Sequence, residues 1–217
     1  GFIKSRNIKQ QTFYFKYLIL IKEWFKETQV EIPEFIEETI FHFGKAYAYF
    51  WQNTQVDLLF NGNNISNNKN FDNYLKRLGY KFKNADINYG GYTILQNKKV
   101  CLAMDTGSSP DHKHSKDYQS GALSFEIISN GKKLIGNCGY YKKENRKFNK
   151  LSKSSAVHST LIIDDSSSCQ FLKDNNSWIL KTGLRVTKKK IIFEKNYWKV
   201  TAAHDGYLKN YGSIHER

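Results

Sequence analysis

The sequence predicts an α+β chain, helical in its first third and an antiparallel β-sandwich after that. Up to about Gly79 the apolar residues recur at helical spacing, and from Tyr80 onward they recur every second residue in short runs broken by turn residues. The dipeptide Asn130-Gly131 adds a third observation, because it is the preferred centre of a two-residue type I′ hairpin turn.

The elements follow in order. Residues 1–11 read as a polar lead-in, and residues 12–27 as a helix whose apolar stripe is Phe13, Tyr17, Leu20, Ile21 and Trp24. Tyr14 and Tyr17 lie within it and read as core. Pro33 suits the first turn of a second helix. There Ile36, Ile40, Phe43, Tyr47 and Phe50 step by four, three, four and three, which makes one apolar face. His42 falls off that face and reads as a surface residue. Residues 56–60 are a short apolar run closed by Asn61-Gly62, and residues 71–78 a short helix ending at Gly79, a natural C-cap.

The strand-like part begins with residues 92–95 and 100–104, a hairpin around 96–99, and a loop over 106–118 that holds His112 and His114. Leu123, Phe125 and Ile127 alternate with Ser124 and Glu126, the pattern of a strand with one buried face. The chain turns at Asn130-Gly131, returns over 132–136, crosses a basic loop, and enters a third strand at 157–163 opened by His158. Residues 178–181, 184–186, 191–194 and 197–203 complete the strands; there is no internal repeat. Gln119 precedes the first strand of the central stretch, Asn137 follows the second and His158 opens the third. Neighbouring strands lie about 4.8 Å apart, so these side chains can meet at one sheet edge.

Composition bounds the function. The chain has 217 residues, 40% of them hydrophobic and 15% aromatic, which supports a packed core rather than disorder. It begins at Gly1 and ends at Arg217 with neither an initiating Met nor a closing element, so it reads as a piece of a longer protein. No apolar run approaches the roughly 20 residues of a membrane span. A net charge of +14 fits an anionic partner, and it fits equally a surface rich in solvated lysines. Nucleic acid is not the expected partner, since neither a basic helix nor a stacking motif is present; the runs Lys142-Lys143 and Lys188-Lys189-Lys190 are short. Cys101, Cys138 and Cys169 are odd in number and form no CxxC pair, so they read as buried free thiols.

The words GALSFEI at 121–127, LIGNCG at 134–139 and SSAVHSTLIIDDSSSCQFL at 154–172 resemble the β-domain of heparinase II/III-like proteins. SRN at 5–7, LLFNG at 58–62 and AAHDGY at 202–207 agree with this. The family consists of polysaccharide lyases built from a helical toroid followed by a β-sandwich. The resemblance implies that residues 1–79 are the C-terminal part of an α/α toroid and that residues 80–217 belong to the antiparallel β-sandwich. It implies an anionic polysaccharide as partner and a periplasmic or cell-envelope location. It also implies β-elimination beside a uronic acid: the carboxylate is neutralised, a base takes the proton α to it, and an acid protonates the leaving oxygen.

The site residues are carried over one at a time. The family's catalytic His position falls on Asp117, its first zinc His on Gln119, its zinc Asp on Asn137 and its second zinc His on His158. Amides are poor zinc ligands beside imidazole and carboxylate. Gln119, Asn137 and His158 are therefore expected to form a hydrogen-bonded cluster, with a ring nitrogen of His158 bonded to the Asn137 or Gln119 side chain, or else His158 faces the cleft. No Tyr occurs in 5–11, where the family's catalytic Tyr is sought, so the base is expected upstream or is absent. His112 and His114 either replace the missing His or are solvated loop histidines. Arg6 can fork onto a sugar carboxylate or sulfate, or be an ordinary surface residue. Asn61 is a turn residue or a sugar contact, and His204 an oriented imidazole beside Asp205 or a polar strand end. Three functions stay open: a lyase acting on uronic-acid-containing polysaccharide, a non-catalytic glycan-binding or envelope-processing member of the same fold, and a basic nucleic-acid-binding module, whose affinity would fall steeply with salt.

Overall fold

The computed structural model describes residues 2–66, 68–141, 146–174 and 177–217. Helix α1 (Ile8–Glu27) begins four residues earlier than periodicity suggests, because Asn7 caps it: Asn7 Oδ1 accepts from Gln10 N at 3.0 Å. Helix α2 (Glu34–Tyr47) follows Pro33 and runs on into a buried π-helical turn over Ala48–Gln52. Helix α3 (Asn68–Arg77) closes the helical part and Gly79 follows at a φ of +77°. The α2 stripe faces inward as expected: Ile36, Ile40 and Tyr47 are buried, with Phe43 packed against the same cluster. The α1 stripe does not. Phe15 and Ile19 are buried, whereas Phe13, Tyr17, Leu20 and Trp24 of the expected stripe are exposed. Helix α1 is apolar around most of its circumference, so spacing alone does not choose the inner face. Gly44 lets α2 lie against the Phe82 ring, which a Cβ there would meet at 2.0 Å.

Five antiparallel strands form the central sheet in sequence order: β1 (Asn88–Tyr89), β2 (Tyr92–Gln96), β3 (Val100–Asp105), β4 (Phe125–Ser129) and β5 (Lys132–Ile135). The β4–β5 hairpin turns at Asn130 and Gly131, with φ of 48° and 74°, as type I′ chemistry requires. A short helix α4 (Arg146–Ser152) stands where a basic loop is expected. Strands β6 (Gln170–Asp174) and β7 (Ser177–Thr182) pair with each other. Strand β8 (Val186–Phe193) pairs with β9 (Trp198–His204); after a single-turn helix, α5 (Leu208–Tyr211), β10 (His215–Glu216) pairs with β9. One strand thus runs from the end of the 184–186 run through most of the 191–194 run, and its polar middle carries a register shift with Lys188 at a φ of 51°. The Lys142-Lys143 run lies outside the described residues.

The central sheet is covered on both faces. Tyr92, Ile94, Cys101, Ala103 and Ile128 pack against Ile8, Ala46, Tyr49, Phe50, Leu58 and Phe60 of the helical part. On the other face Met104 and Leu123 pack against Ala202 with Val186 and Val200 of the second sheet. This corrects two expectations for the central stretch. Strand β4 starts at Phe125, and Leu123 instead takes a left-handed turn with φ 56°. Glu126, expected on an exposed face, is wholly buried. Its carboxylate accepts from Leu59 N at 3.2 Å and Asn137 N at 2.9 Å and pairs with Lys133 at 2.7 Å. The strand expected at 157–163 is a 3-10 turn (Ser155–Val157) followed by irregular chain. It is tied to β4 by side chains, with Ser159 Oγ accepting from Phe125 N at 2.8 Å.

The lead-in is fixed to this sheet by Arg6, which has a φ of 55° and is buried. Its guanidinium donates to Asp105 Oδ1 at 2.5 Å and to the carbonyls of Gly91, Gly107 and Ser108 at 3.0–3.1 Å. It also lies 4.7 Å from the Tyr92 ring centroid. Asp105 Oδ2 accepts from Asn61 Nδ2 at 2.8 Å. The substitution Asp105→Ala leaves that guanidinium uncompensated. Urea unfolding is expected to show a loss of about 3–5 kcal/mol, and a loss below about 1 kcal/mol would contradict the central place given to this ion pair.

Candidate functional site

A groove of about 500 Å³ lies between the start of α1 and the 112–117 loop. One wall is Phe2, Ile3, Lys4, Ser5, Gln10 and Tyr14, and the other is His114, Lys116 and Asp117. Two Lys, a His, a Tyr and a carboxylate thus share one concave surface. Ser5 Oγ donates to Gln10 Oε1 at 2.6 Å, and Gln10 Nε2 donates to the Tyr14 hydroxyl at 3.0 Å. This chain of bonds aligns the first wall.

The second wall is held from below. The Asn7 amide that caps α1 also donates from Nδ2 to Asp117 Oδ2 at 3.0 Å, joining the two walls. Gly62, at a φ of +82°, lets the chain pass there; a Cβ would sit 2.5 Å from Asn7 Nδ2. The Ser115 hydroxyl donates to the His112 carbonyl at 2.7 Å and accepts from Leu180 N at 2.9 Å, which anchors the loop to β7. The ammonium of buried Lys153 donates to the carbonyls of Lys116 and Tyr118 at 2.7 and 2.8 Å. Tyr140 donates to the Lys116 carbonyl at 3.3 Å, and burial pushes its hydroxyl up to about 12.

Of the expected catalytic candidates, the structure brings His114 and Asp117 into the groove and leaves His112 exposed outside its lining. Of the expected sugar contacts, none lines it. Arg6 is turned inward onto Asp105. Asn61 is buried, donating to Asp105 and to the Tyr92 hydroxyl at 2.8 Å each. His204 is wholly buried in β9. There Nδ1 accepts from Gly206 N at 3.1 Å, so Nε2 carries the proton that His215 Nδ1 accepts at 3.1 Å. In all three cases a polar side chain in a turn or at a strand end finds its partners inside the fold. Reading by type missed Lys4, Gln10, Tyr14 and Lys116. Tyr14, expected in the core, is 44% exposed. The available signal was the Asn7-x-x-Gln10 cap, which fixes where α1 starts and so which face Tyr14 occupies.

Gln119 and His158 meet at one backbone atom, and Asn137 holds the residue that follows His158. The Ser152 carbonyl accepts from Gln119 Nε2 at 2.6 Å and lies 3.1 Å from His158 Nε2. Gln119 Nε2 also donates to the Gly139 carbonyl at 2.9 Å, while its Oε1 accepts from Gly62 N at 3.0 Å. Asn137 Nδ2 donates to Glu126 at 3.3 Å and its Oδ1 accepts from Ser159 N at 3.1 Å. The expected bond from His158 to a side-chain amide is thus replaced by one to a carbonyl. These residues do not fit a zinc ion. Both amides are committed through both of their polar atoms, and the His158 nitrogen that would ligate points at a carbonyl. Among the described residues no three His, Cys, Asp or Glu side chains stand together to hold a metal.

The thiols of Cys101, Cys138 and Cys169 are free, and burial pushes them up to about 11, 11 and 12. No helix among the described residues is long and apolar enough to cross a membrane.

Comparison with known proteins follows this geometry. The sequence profile of the family described as "Heparinase II/III-like, C-terminal" matches residues 81–217. The chain belongs to the heparinase II/III-like family. Among solved structures, a heparan sulfate lyase HepC mutant from Pedobacter heparinus superposes with a TM-score of 0.70 at 12% identity, over 98% of this chain and 35% of that one. A heparinase III with methylated lysines gives a TM-score of 0.63 at 17% identity, over 86% and 30%. Another heparinase III gives 0.63 at 15% identity, over 94% and 38%. At these identities the likeness is one of fold, that of a helical segment followed by antiparallel sheets. The chain spans about a third of the length of these structures. No curated protein matches.

Two outcomes test this description. Gln119→Ala would leave the Gly62 N–H unpaired in the interior and take one donor each from the Ser152 and Gly139 carbonyls, and is expected to lower stability by about 1–3 kcal/mol in denaturant unfolding. Acid acts on the histidines. Burial lowers both His158 and His204 to about 4 from an ordinary 6.5. Below 6.5 the unfolded chain takes up protons that the folded one refuses. The melting temperature should be level above about pH 7 and fall between about 6.5 and about 4. His204→Gln should flatten part of that slope.

Proposed function

We propose that this chain forms part of a lyase that cleaves acidic, uronic-acid-containing polysaccharide by β-elimination, with the groove at the α1–loop junction as its reacting site. The observation that carries the proposal is the meeting of Lys4, Lys116, His114 and Tyr14 on one surface. The ammonium groups of Lys116 and Lys4 pair with the uronate carboxylate and make the α proton more acidic. His114 takes that proton. The electron pair it leaves forms the carbon–carbon double bond as the bond to the adjacent glycosidic oxygen breaks, and Tyr14 protonates the departing oxygen. Asp117, at the family's catalytic His position, acts as a positioning residue that ties the loop to Asn7. In this proposal residues 1–79 are the end of the toroid and residues 80–217 the sandwich domain. That the solved neighbours bear the names heparinase and heparan sulfate lyase supports an acidic glycan as substrate.

A second reading, a glycan-binding member without turnover, is supported by the resemblance, which puts the family's catalytic His position on Asp117, and by the bond that ties the Asp117 carboxylate to Asn7. The two separate in one experiment. Full-length protein and its His114→Ala and Tyr14→Phe variants are incubated with a panel of acidic glycans, and unsaturated uronate is followed by ultraviolet absorbance. Both variants should keep the wild-type melting temperature and lose activity by about 10²–10⁴-fold. Binding without product in the wild type would establish the second reading.

A further inference from the structure

A second concave surface is linked to the Lys116–Tyr118 backbone by Lys153. It measures about 440 Å³ and runs between α4 and the β6–β7 pair. Three lysines line it (Lys147, Lys150 and Lys153) together with the rings of Phe171 and Trp178, and none of the described lining residues is acidic.

The local structure explains the arrangement. In β7, Trp178 and Leu180 are two residues apart and so point to the same face. Leu180 is buried in the cluster that Phe171 packs against, opposite it across β6. Trp178 extends that face outward and remains partly exposed. The α4 residue Lys150 holds its ammonium 5.2 Å from the Trp178 ring centroid, and Lys153 its own 4.9 Å from that of Phe171. Lys150 is exposed at the rim. Lys153 is buried and reaches the carbonyls of Lys116 and Tyr118, so one side chain touches both the second surface and the backbone of the groove's loop.

We propose that this surface is an accessory subsite for an acidic sugar unit of the same polysaccharide chain. A pyranose presents C–H bonds on its flat face and anionic groups on its edge. The indole of Trp178 receives the apolar face, and the ammonium of Lys150, which now sits over the indole, turns to the carboxylate or sulfate. Lys147 lies one turn before Lys150 on α4 and adds a second cation to the same rim. An aromatic ring beside paired cations suits a ligand that is flat, apolar on one face and charged at its edge. A neutral sugar would leave the cations unused, and an apolar peptide would leave them desolvated. The proposal rests on the acidic-polysaccharide reading above but concerns a different surface from the reacting groove.

The test uses the full chain and a size series of acidic oligosaccharides, from disaccharide to dodecasaccharide. Binding is followed by titration calorimetry in wild type, Trp178→Ala, Trp178→Phe and Lys150→Gln. Lys150 is a rim residue, and Trp178→Phe keeps a ring in place, so two of the three variants keep the fold even if Trp178→Ala does not. Trp178→Ala and Lys150→Gln should weaken binding of the longer oligosaccharides by about tenfold, leave the disaccharide unaffected, and leave turnover of short substrates unchanged. Trp178→Phe should retain most of the affinity. Equal affinity of wild type, Trp178→Ala and Lys150→Gln for every length would overturn the subsite and leave the reacting groove standing. A loss in Trp178→Ala alone, equal for neutral and acidic oligosaccharides, would overturn the anionic assignment. If the wild type binds no acidic oligosaccharide of any length, the reading on which the subsite rests fails with it.

Discussion

The buried pair of Arg6 and Asp105 is the contact on which the arrangement of this chain depends. A guanidinium in the interior is tolerable only when every donor is met. Here a carboxylate, four nearby carbonyls and the face of Tyr92 meet it. Tyr92 in turn donates to the Arg6 carbonyl at 2.6 Å, so backbone and side chain are fixed together. Because Arg6 immediately precedes the cap of α1, the clamp sets the position of Lys4, Ser5 and Asn7 on the central sheet. One wall of the groove is placed by that single residue.

The other wall is placed by contacts of a different kind. The 112–117 loop contributes few apolar side chains, and its geometry comes from polar groups aimed at its backbone: Ser115 from within, Lys153 and Tyr140 from beneath. Such contacts fix carbonyls and leave the side chains of His114 and Lys116 directed into the open space. A rigid backbone with projecting functional groups is what proton transfer needs, since a base must hold its distance to the proton it removes.

The node around the Ser152 carbonyl is the neutral counterpart of a metal cross-link. A zinc site places a cation and charged ligands in the interior. Two amides and a neutral imidazole tie their segments together mainly by hydrogen bonds to backbone atoms. Glu126 supplies the remaining anchor, and Lys133 balances its carboxylate. Dry, fully partnered polar groups of this kind are rigid, because each alternative leaves a donor or acceptor unmet.

The sequence by itself determined the change from helix to sheet near Gly79, the inner face of α2, the Asn130-Gly131 hairpin and the family, because these rest on local periodicity, local turn chemistry and short words. Tertiary structure decided the rest. Helix α1 is apolar on two sides, and only packing against α2 selects Phe15 and Ile19 over Phe13 and Tyr17. Strand β4 buries Glu126 because a second layer covers its other face, which no alternation pattern reports. Arg6, Asn61 and His204 have the residue types of a binding site, yet their partners are Asp105, Tyr92 and His215, from 11 to 99 residues away. Whether a polar side chain faces a ligand or the interior depends on which distant donors and acceptors the fold brings to it, and that information is absent from any local window.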